Sequence, residues 1–396
     1  MTFTAPARTQ ADRLRAIDGL ADAFAARRRG YDEAAAFPAE NFEALRRAGL
    51  LALTAPPEHG GDGLWRGEHY VEYYELIERL AQIDCNTAQL LQVHSHSLGI
   101  LSLHASAEQK ERYLGDIVRH GKLVASVGSE SAPRRTQDGT YTSELVEDGD
   151  GWRLSCQKYF ASLGPGADYL MLWVAVPGTG SYAERTVLVL VPRDAPEVEL
   201  VDEWDVMGMR STVSWGVKVT DLHVPADAIV GEPGGWVRND PRTFTLGFTA
   251  NHLGTAQAAL DFAARWARER PHIGRSELVQ LAIGDMASDV FAARSALYAA
   301  ARVWEAGDYD TAELESLKAL HLTKRVSLGV VQRAFEVCGA RVAFRDHPLE
   351  QMYRDLRTFT LHFRDDVYTK QVGQGVIDQA FAVKGYVDGS APIHQA

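Results

Sequence analysis

Two stretches hold the side chains best suited to proton chemistry near neutral pH. One is Arg354-Asp355-Leu356-Arg357-Thr358-Phe359-Thr360-Leu361-His362, with Phe363 next. The other is Gln92-Val93-His94-Ser95-His96-Ser97. An imidazole exchanges its proton close to pH 7 and can also ligate a metal. Metal binding fails on spacing. His94 and His96 point about 200° apart on a helix, so at most one of them faces any given cavity. No His-x-x-x-His occurs, and Cys85, Cys156 and Cys338 lie far apart, so no metal site is expected. The cysteines read instead as small core residues in a reducing compartment. Ser129 and Ser162 offer hydroxyls, Phe160 a flat ring and Arg270 a guanidinium fork. Read alone, Phe160 is a strand residue of a core, and Arg270 closes the run ARWARER, where it complements a helix dipole.

These residues must be held by the elements around them. From Gln10 to Leu114 the chain reads as helices. ADRLRAIDGLADAFAARRRGYDEAA is amphipathic, ENFEALRRAG ends at Gly49, and His69–Leu103 is a long apolar-rich helical run followed by AEQKERYLGDI. Near Leu123 the pattern changes. LVASVGS, GWRLSCQKYFAS, YLMLWVAV, RTVLVLVP and WGVKVTDLHVP are short, β-branched and aromatic, as strands of a mostly antiparallel domain. Asp148-Gly149-Asp150-Gly151 fits a hairpin turn. After Gly234-Gly235 helical periodicity returns and runs to about Val387. The expected fold class is α+β in three parts: an N-terminal α-helical domain (1–120), a central β-domain (121–232) and a C-terminal helical bundle (233–396).

Composition limits the partners. The formal charge of −12 argues against nucleic acid and anionic membranes. No apolar run is long enough to span a bilayer, and MTFTAPARTQADRLR has no signal-peptide core, so a cytoplasmic protein is expected.

The chain resembles the acyl-CoA dehydrogenase superfamily along nearly its whole length. HSLGILSLHASAEQKERYL is similar to the family's segment before the β-domain. SVGSE takes the place of its Thr-Glu segment, and QKYFASLG resembles its Gln-Lys-aromatic-aromatic strand. MGMRSTVSWGVKVTDLHVPADAIVG resembles the strand pair that closes the β-domain. The resemblance implies an N-terminal helical domain, a central β-barrel or sandwich and a C-terminal four-helix bundle. It also implies a flavin held between the β-domain and the C-terminal helices. Phe160 would lie on the flavin ring, with Ser129 and Ser162 at its polar edge. Arg270, Glu336 and Gly339 match positions that hold the cofactor's far end. Ile273, Glu336, Ala340, Asp365 and Val367 depart from the family there, which leaves FAD and FMN both open.

The family's dehydrogenases remove an α-proton with a Glu. By alignment, both places that carry it are phenylalanines here, Phe363 and Phe244, and a phenyl ring accepts no proton. The motif Arg354–His362 instead resembles the reduced-flavin-dependent monooxygenase branch, such as dibenzothiophene and amine N-oxygenases. That branch implies a separate NAD(P)H:flavin reductase, O2, and insertion of one oxygen atom into a small organic substrate through a C4a-(hydro)peroxyflavin. His362, Ser129, Ser162 and His96 are the candidate catalytic residues. His94, His96, Phe244 and Phe363 are the candidate substrate contacts, with His96 favoured over His94 because SLG follows it. The family also implies a homotetramer, and the apolar faces of LVQLAIGDMASDVFAARSALYAAARVW fit that. The competing readings are a dehydrogenase of acyl-CoA or carrier-bound acyl groups with an unrecognised base, and a non-catalytic flavin-binding homologue. Arg134-Arg135 reads as a solvated loop or a clamp for an anionic substrate.

Overall fold

The computed structural model describes residues 8–65, 68–130, 143–235, 245–362 and 365–378. Arg134, Arg135, Trp236, Phe244 and Phe363 lie outside them.

Helices α1 (Gln10–Asp18), α2 (Ala21–Ala34), α3 (Ala39–Arg47), α4 (Tyr70–Ile83) and α5 (Cys85–His104) build the first part. The amphipathic run expected as one helix breaks after Asp18. There the Gly19 N–H turns back to the Arg15 carbonyl and closes α1. The run His69–Leu103 also divides. Asp84 adopts an extended backbone (φ −152°, ψ 105°), which ends α4, and its side chain accepts the Asn86 N–H at the start of α5. An Asp at an N-cap satisfies a donor that the helix itself cannot. Helix α5 is buried on nearly every face, which is why its sequence shows no polar stripe.

Two four-stranded sheets follow, ordered β1-β4-β5-β8 and β2-β3-β7-β6. The strands are β1 (Val124–Val127), β2 (Val146–Asp148), β3 (Gly151–Ala161), β4 (Tyr169–Ala175), β5 (Thr186–Pro192), β6 (Val198–Val201), β7 (Trp215–Pro225) and β8 (Ile229–Val230). All pairs are antiparallel except β1 with β4. The five runs legible in sequence are β1, β3, β4, β5 and β7. β2, β6 and β8 have two to four residues each, too few to show a period. Asp148 faces Gly151 across the expected hairpin turn, and Gly149 takes a φ of +65°.

The last part comprises α6 (Thr245–Arg268), α7 (Glu277–Glu305), α8 (Tyr309–Cys338), α9 (Pro348–Phe359) and α10 (Asp365–Asp378). Helix α6 packs against both α4 and α8, joining the two helical parts. The chain is thus a helical N-terminal domain, a central sheet domain and a helical C-terminal domain. No helix among the described residues is long and apolar enough to cross a membrane.

Arg354 and Asp355 fasten the three parts together. Arg354 pairs with Asp32 of α2 (2.8 Å) and Glu350 (2.8 Å), and donates to the Met207 carbonyl (2.9 Å). Asp355 accepts the Met209 N–H (2.6 Å) and the Asn86 side-chain amide (2.9 Å). Gly208 makes this approach possible, because a Cβ there would sit 2.1 Å from the Arg354 carbonyl oxygen.

Candidate active site

The end of β3 carries an unusual backbone. Its pairing with β7 shifts register between Lys158 and Ala161. Phe160 stands within that shift at φ +57°, with 61 % of its surface exposed. A phenylalanine costs about 1–2 kcal/mol in the left-handed region, and an exposed aromatic ring gains no burial in return. Leu163, Met209 and Val213 also have positive φ. Four such residues in two adjacent loops concentrate backbone strain here, a feature that makes these loops a candidate site.

These loops are knitted together. Leu163 N–H donates to the Thr212 carbonyl (3.0 Å). The Ser162 and Ser214 hydroxyls lie 2.7 Å apart, and the Ser214 and Thr212 hydroxyls 2.9 Å apart. The Trp204 indole donates to the Met209 carbonyl (3.0 Å) and meets Phe160 edge-on, with centroids 6.0 Å apart. Trp204 packs in turn on a cluster of Cys85, Met209, Phe248, Leu320 and Phe359. The His362 ring lies flat on Phe248, with centroids 4.4 Å apart at 21°. The structure therefore connects Phe160 and Ser162 to His362 through one aromatic wall. Trp204 and Phe248, which nothing in the sequence singled out, are its central members. Ser129 is half-buried beside β3, where its carbonyl accepts the Tyr159 N–H (2.9 Å).

Desolvation, then the Lys324 charge, lowers the His362 pKa to about 4. The side chain nonetheless has an exposed surface. Access to water tempers the shift without reversing its direction. His252, on α6, is fully buried and meets the edge of Phe359 (4.8 Å, 74°). Its pKa falls to about 3 by desolvation, then by Lys324 and His362. Neither of its ring nitrogens has a hydrogen-bond partner. Nothing in the sequence marked His252 as part of the site.

The other histidines separate. His94 is fully buried, and both of its nitrogens are used. Nδ1 accepts the Val124 N–H (3.1 Å), so Nε2 carries the proton and donates to the Leu51 carbonyl (2.9 Å). This bonding corrects the reading of His94 as a substrate contact: it holds α5 to β1, and no ring nitrogen is left for a ligand. His96 stacks on Trp65 (4.5 Å, 24°) beside Tyr73, deep in an aromatic core.

Arg270, Glu336 and Gly339 do not join Phe160 either. Arg270 lies beyond the C-terminal end of α6, whereas Phe248 is near its start. That separation is on the order of 30 Å along a helix rising 1.5 Å per residue, so a single small cofactor cannot touch both within one chain. The Arg270 guanidinium covers the Trp266 ring at 3.5 Å and donates to the Trp266 carbonyl (3.3 Å). Glu336 is exposed, and Gly339 has a φ of +77°.

The group near Phe160 fits a flavin ring. The exposed phenyl matches a flat face, and the linked hydroxyls of Ser162, Ser214 and Thr212 suit a polar edge. Among the described residues no cluster of His, Cys, Asp and Glu could hold a metal.

Comparison with known proteins identifies the family. Residues 10–120 match the acyl-CoA dehydrogenase N-terminal domain, and residues 246–362 match the acyl-CoA dehydrogenase C-terminal domain. A putative acyl-CoA dehydrogenase of Bacillus subtilis, YdbM, is 28 % identical, over 86 % of this chain and 90 % of that protein. Dibenzothiophene monooxygenase of Mycolicibacterium goodii is 26 % identical, over 90 % and 91 %. The crystal structure of TdsC from Paenibacillus sp. A11-2 with FMN and indole superposes with a TM-score of 0.84, at 25 % identity, over 95 % of this chain and 99 % of that one. With both terminal domains matched and the three-part fold in place, this chain belongs to the acyl-CoA dehydrogenase superfamily.

Proposed function

We propose that the protein is a reduced-flavin-dependent monooxygenase that places one oxygen atom from O2 on a small organic substrate. The observation that carries this reading is the aromatic wall from Phe160 through Trp204 and Phe248 to His362; His362 directly precedes Phe363, the position at which the resemblance gives a dehydrogenase its carboxylate. Asp355, packed against the same cluster, is no substitute. Its two oxygens accept from Met209 N and Asn86, and desolvation, opposed by the Met209 hydrogen bond, raises its pKa to about 7.

Phe160 and Trp204 would hold a reduced flavin, which would supply the two electrons needed to put one atom of O2 on substrate and the other into water. The chain's own groups do the rest. Phe160 and Trp204 seat the ring, and the hydroxyls of Ser162 and Ser129 orient its polar edge. Phe248, Phe359 and Leu320 exclude water, which favours oxygen transfer over release of hydrogen peroxide. Neutral His362 donates a hydrogen bond toward the reacting oxygen or steers a substrate proton.

FMN is the favoured flavin. Arg270 is engaged with Trp266, and the carboxylate of Glu336 stands where FAD's far end would need donors. A separate NAD(P)H:flavin reductase supplies the reduced form. The cytoplasm is the proposed compartment. The assembly is a homotetramer: Leu278, Leu281 and Phe291 of α7 are all more than 60 % exposed, which fits burial between subunits.

The test supplies reduced FMN in air with indole or dibenzothiophene. Oxygenated product is expected. Anaerobic bleaching of the oxidised holoprotein by butyryl-CoA, with no oxygenated product, points to a dehydrogenase. Neither result points to a non-catalytic homologue.

A further inference from the structure

Beneath the strained end of β3 lies a fully buried ion pair that the proposed chemistry does not use. Lys158 Nζ is 2.8 Å from Glu130 Oε1, and the two side chains are 0 % and 1 % exposed. An ammonium has three N–H donors, and here each finds an oxygen. Besides Glu130, Lys158 donates to the carbonyls of Gly128 (3.2 Å) and Trp173 (2.8 Å). Glu130 Oε1 also accepts the Ser143 N–H (3.1 Å) and the Ser143 hydroxyl.

Replacing a buried ion pair by apolar groups is often neutral or stabilising, so stability alone is a poor reason for this one. Its position gives a better reason. Lys158 begins the register shift in which the ladder to β7 is lost. On the other side, the Tyr159 N–H to Ser129 carbonyl bond (2.9 Å) joins the strand to the serine loop. Three successive loop residues are therefore held by two successive strand residues: Gly128 and Glu130 by Lys158, Ser129 by Tyr159. Phe160 follows immediately.

We propose that Lys158 and Glu130 are positioning residues of the oxidation site, their buried contact fixing where Ser129 and Phe160 meet the flavin. The proposal rests on the monooxygenase reading for the identity of the ligand.

The test compares wild type, Lys158→Met, and the double variant Lys158→Met with Glu130→Gln. The single variant leaves a buried carboxylate unpaired and is expected to melt early. The double variant has no unpaired charge, keeps an acceptor for Ser143, and is expected to recover most of the melting temperature. Its peptides spanning 126–130 and 158–162 are nevertheless expected to exchange amide hydrogen faster, and FMN to bind about tenfold more weakly, as for one lost buried hydrogen bond. A double variant with wild-type exchange in those peptides, or with FMN affinity within about twofold of wild type, overturns the proposal. Weaker FMN binding by the double variant, beside a wild type that makes no oxygenated product, refutes the monooxygenase reading and leaves the positioning role standing. A wild type that takes up no FMN overturns both.

Discussion

Helix α5 and the wall at α6 and the end of α9 each hold imidazoles with depressed pKa values, yet they differ in kind. His94 and His362 are both pushed to about 4, each chiefly by desolvation. Their bonding separates them. His94 spends one nitrogen on Val124 and the other on Leu51, whereas His362 keeps an accessible surface against Phe248. A low pKa alone does not separate a structural imidazole from one that a ligand can reach; accessibility does.

His94→Ala leaves the Val124 N–H and the Leu51 carbonyl buried without partners, at about 1–3 kcal/mol each. Thermal melts should fall sharply, while the ratio of hydrogen peroxide to product in the folded fraction stays at the wild-type value. An altered ratio with an unchanged melt would place His94 at the site after all.

Acid sharpens the same contrast. The folded pKa values of His94 and His252, about 4 and about 3, lie below the ordinary 6.5. The unfolded chain therefore takes up protons first. Their contribution to stability is complete above about pH 6.5 and is lost as pH falls toward 4. Asp355 has the opposite sign. Its raised pKa of about 7 favours the folded chain most at low pH, and that advantage fades as pH rises from about 4 to about 7. Urea melts between pH 4 and 7.5 should show a shallower acid loss for His252→Phe and a steeper one for Asp355→Asn. Parallel curves for all three proteins would contradict these assignments.

At His362 the expected effect is on coupling rather than folding. A lost donor in a dry site costs about 1–3 kcal/mol, or about one to two decades in rate. His362→Ala should still bind flavin and consume oxygen, but release more peroxide per product. His362→Asn should recover part of the coupling. A lowered melting temperature with unchanged coupling would make His362 a packing residue.

The smallest effect belongs to Phe160, where stability and binding should move in opposite directions. Phe160→Gly relieves the positive φ and should raise stability by up to about 1 kcal/mol, while FMN binds more weakly. Loss of both stability and affinity would show the ring to be a core residue.

The order of helices, strands and helices and the five longer strands were legible in the sequence, because periodicity and turn residues act locally. The sequence also pointed to Phe160, Ser162 and His362, since QKYFASLG and the run ending in His362 are contiguous. Only the tertiary structure showed that Trp204 and Phe248 join them, that His252 lies behind Phe359, and that Lys158 and Glu130 lock the loop beneath. These contacts cross between domains, and spacing along the chain holds no record of them. The same limit explains His94: a histidine on a helix looks alike in sequence whether its ring meets a ligand or a neighbouring backbone. The backbone groups that satisfy it, Leu51 and Val124, are brought there by the fold.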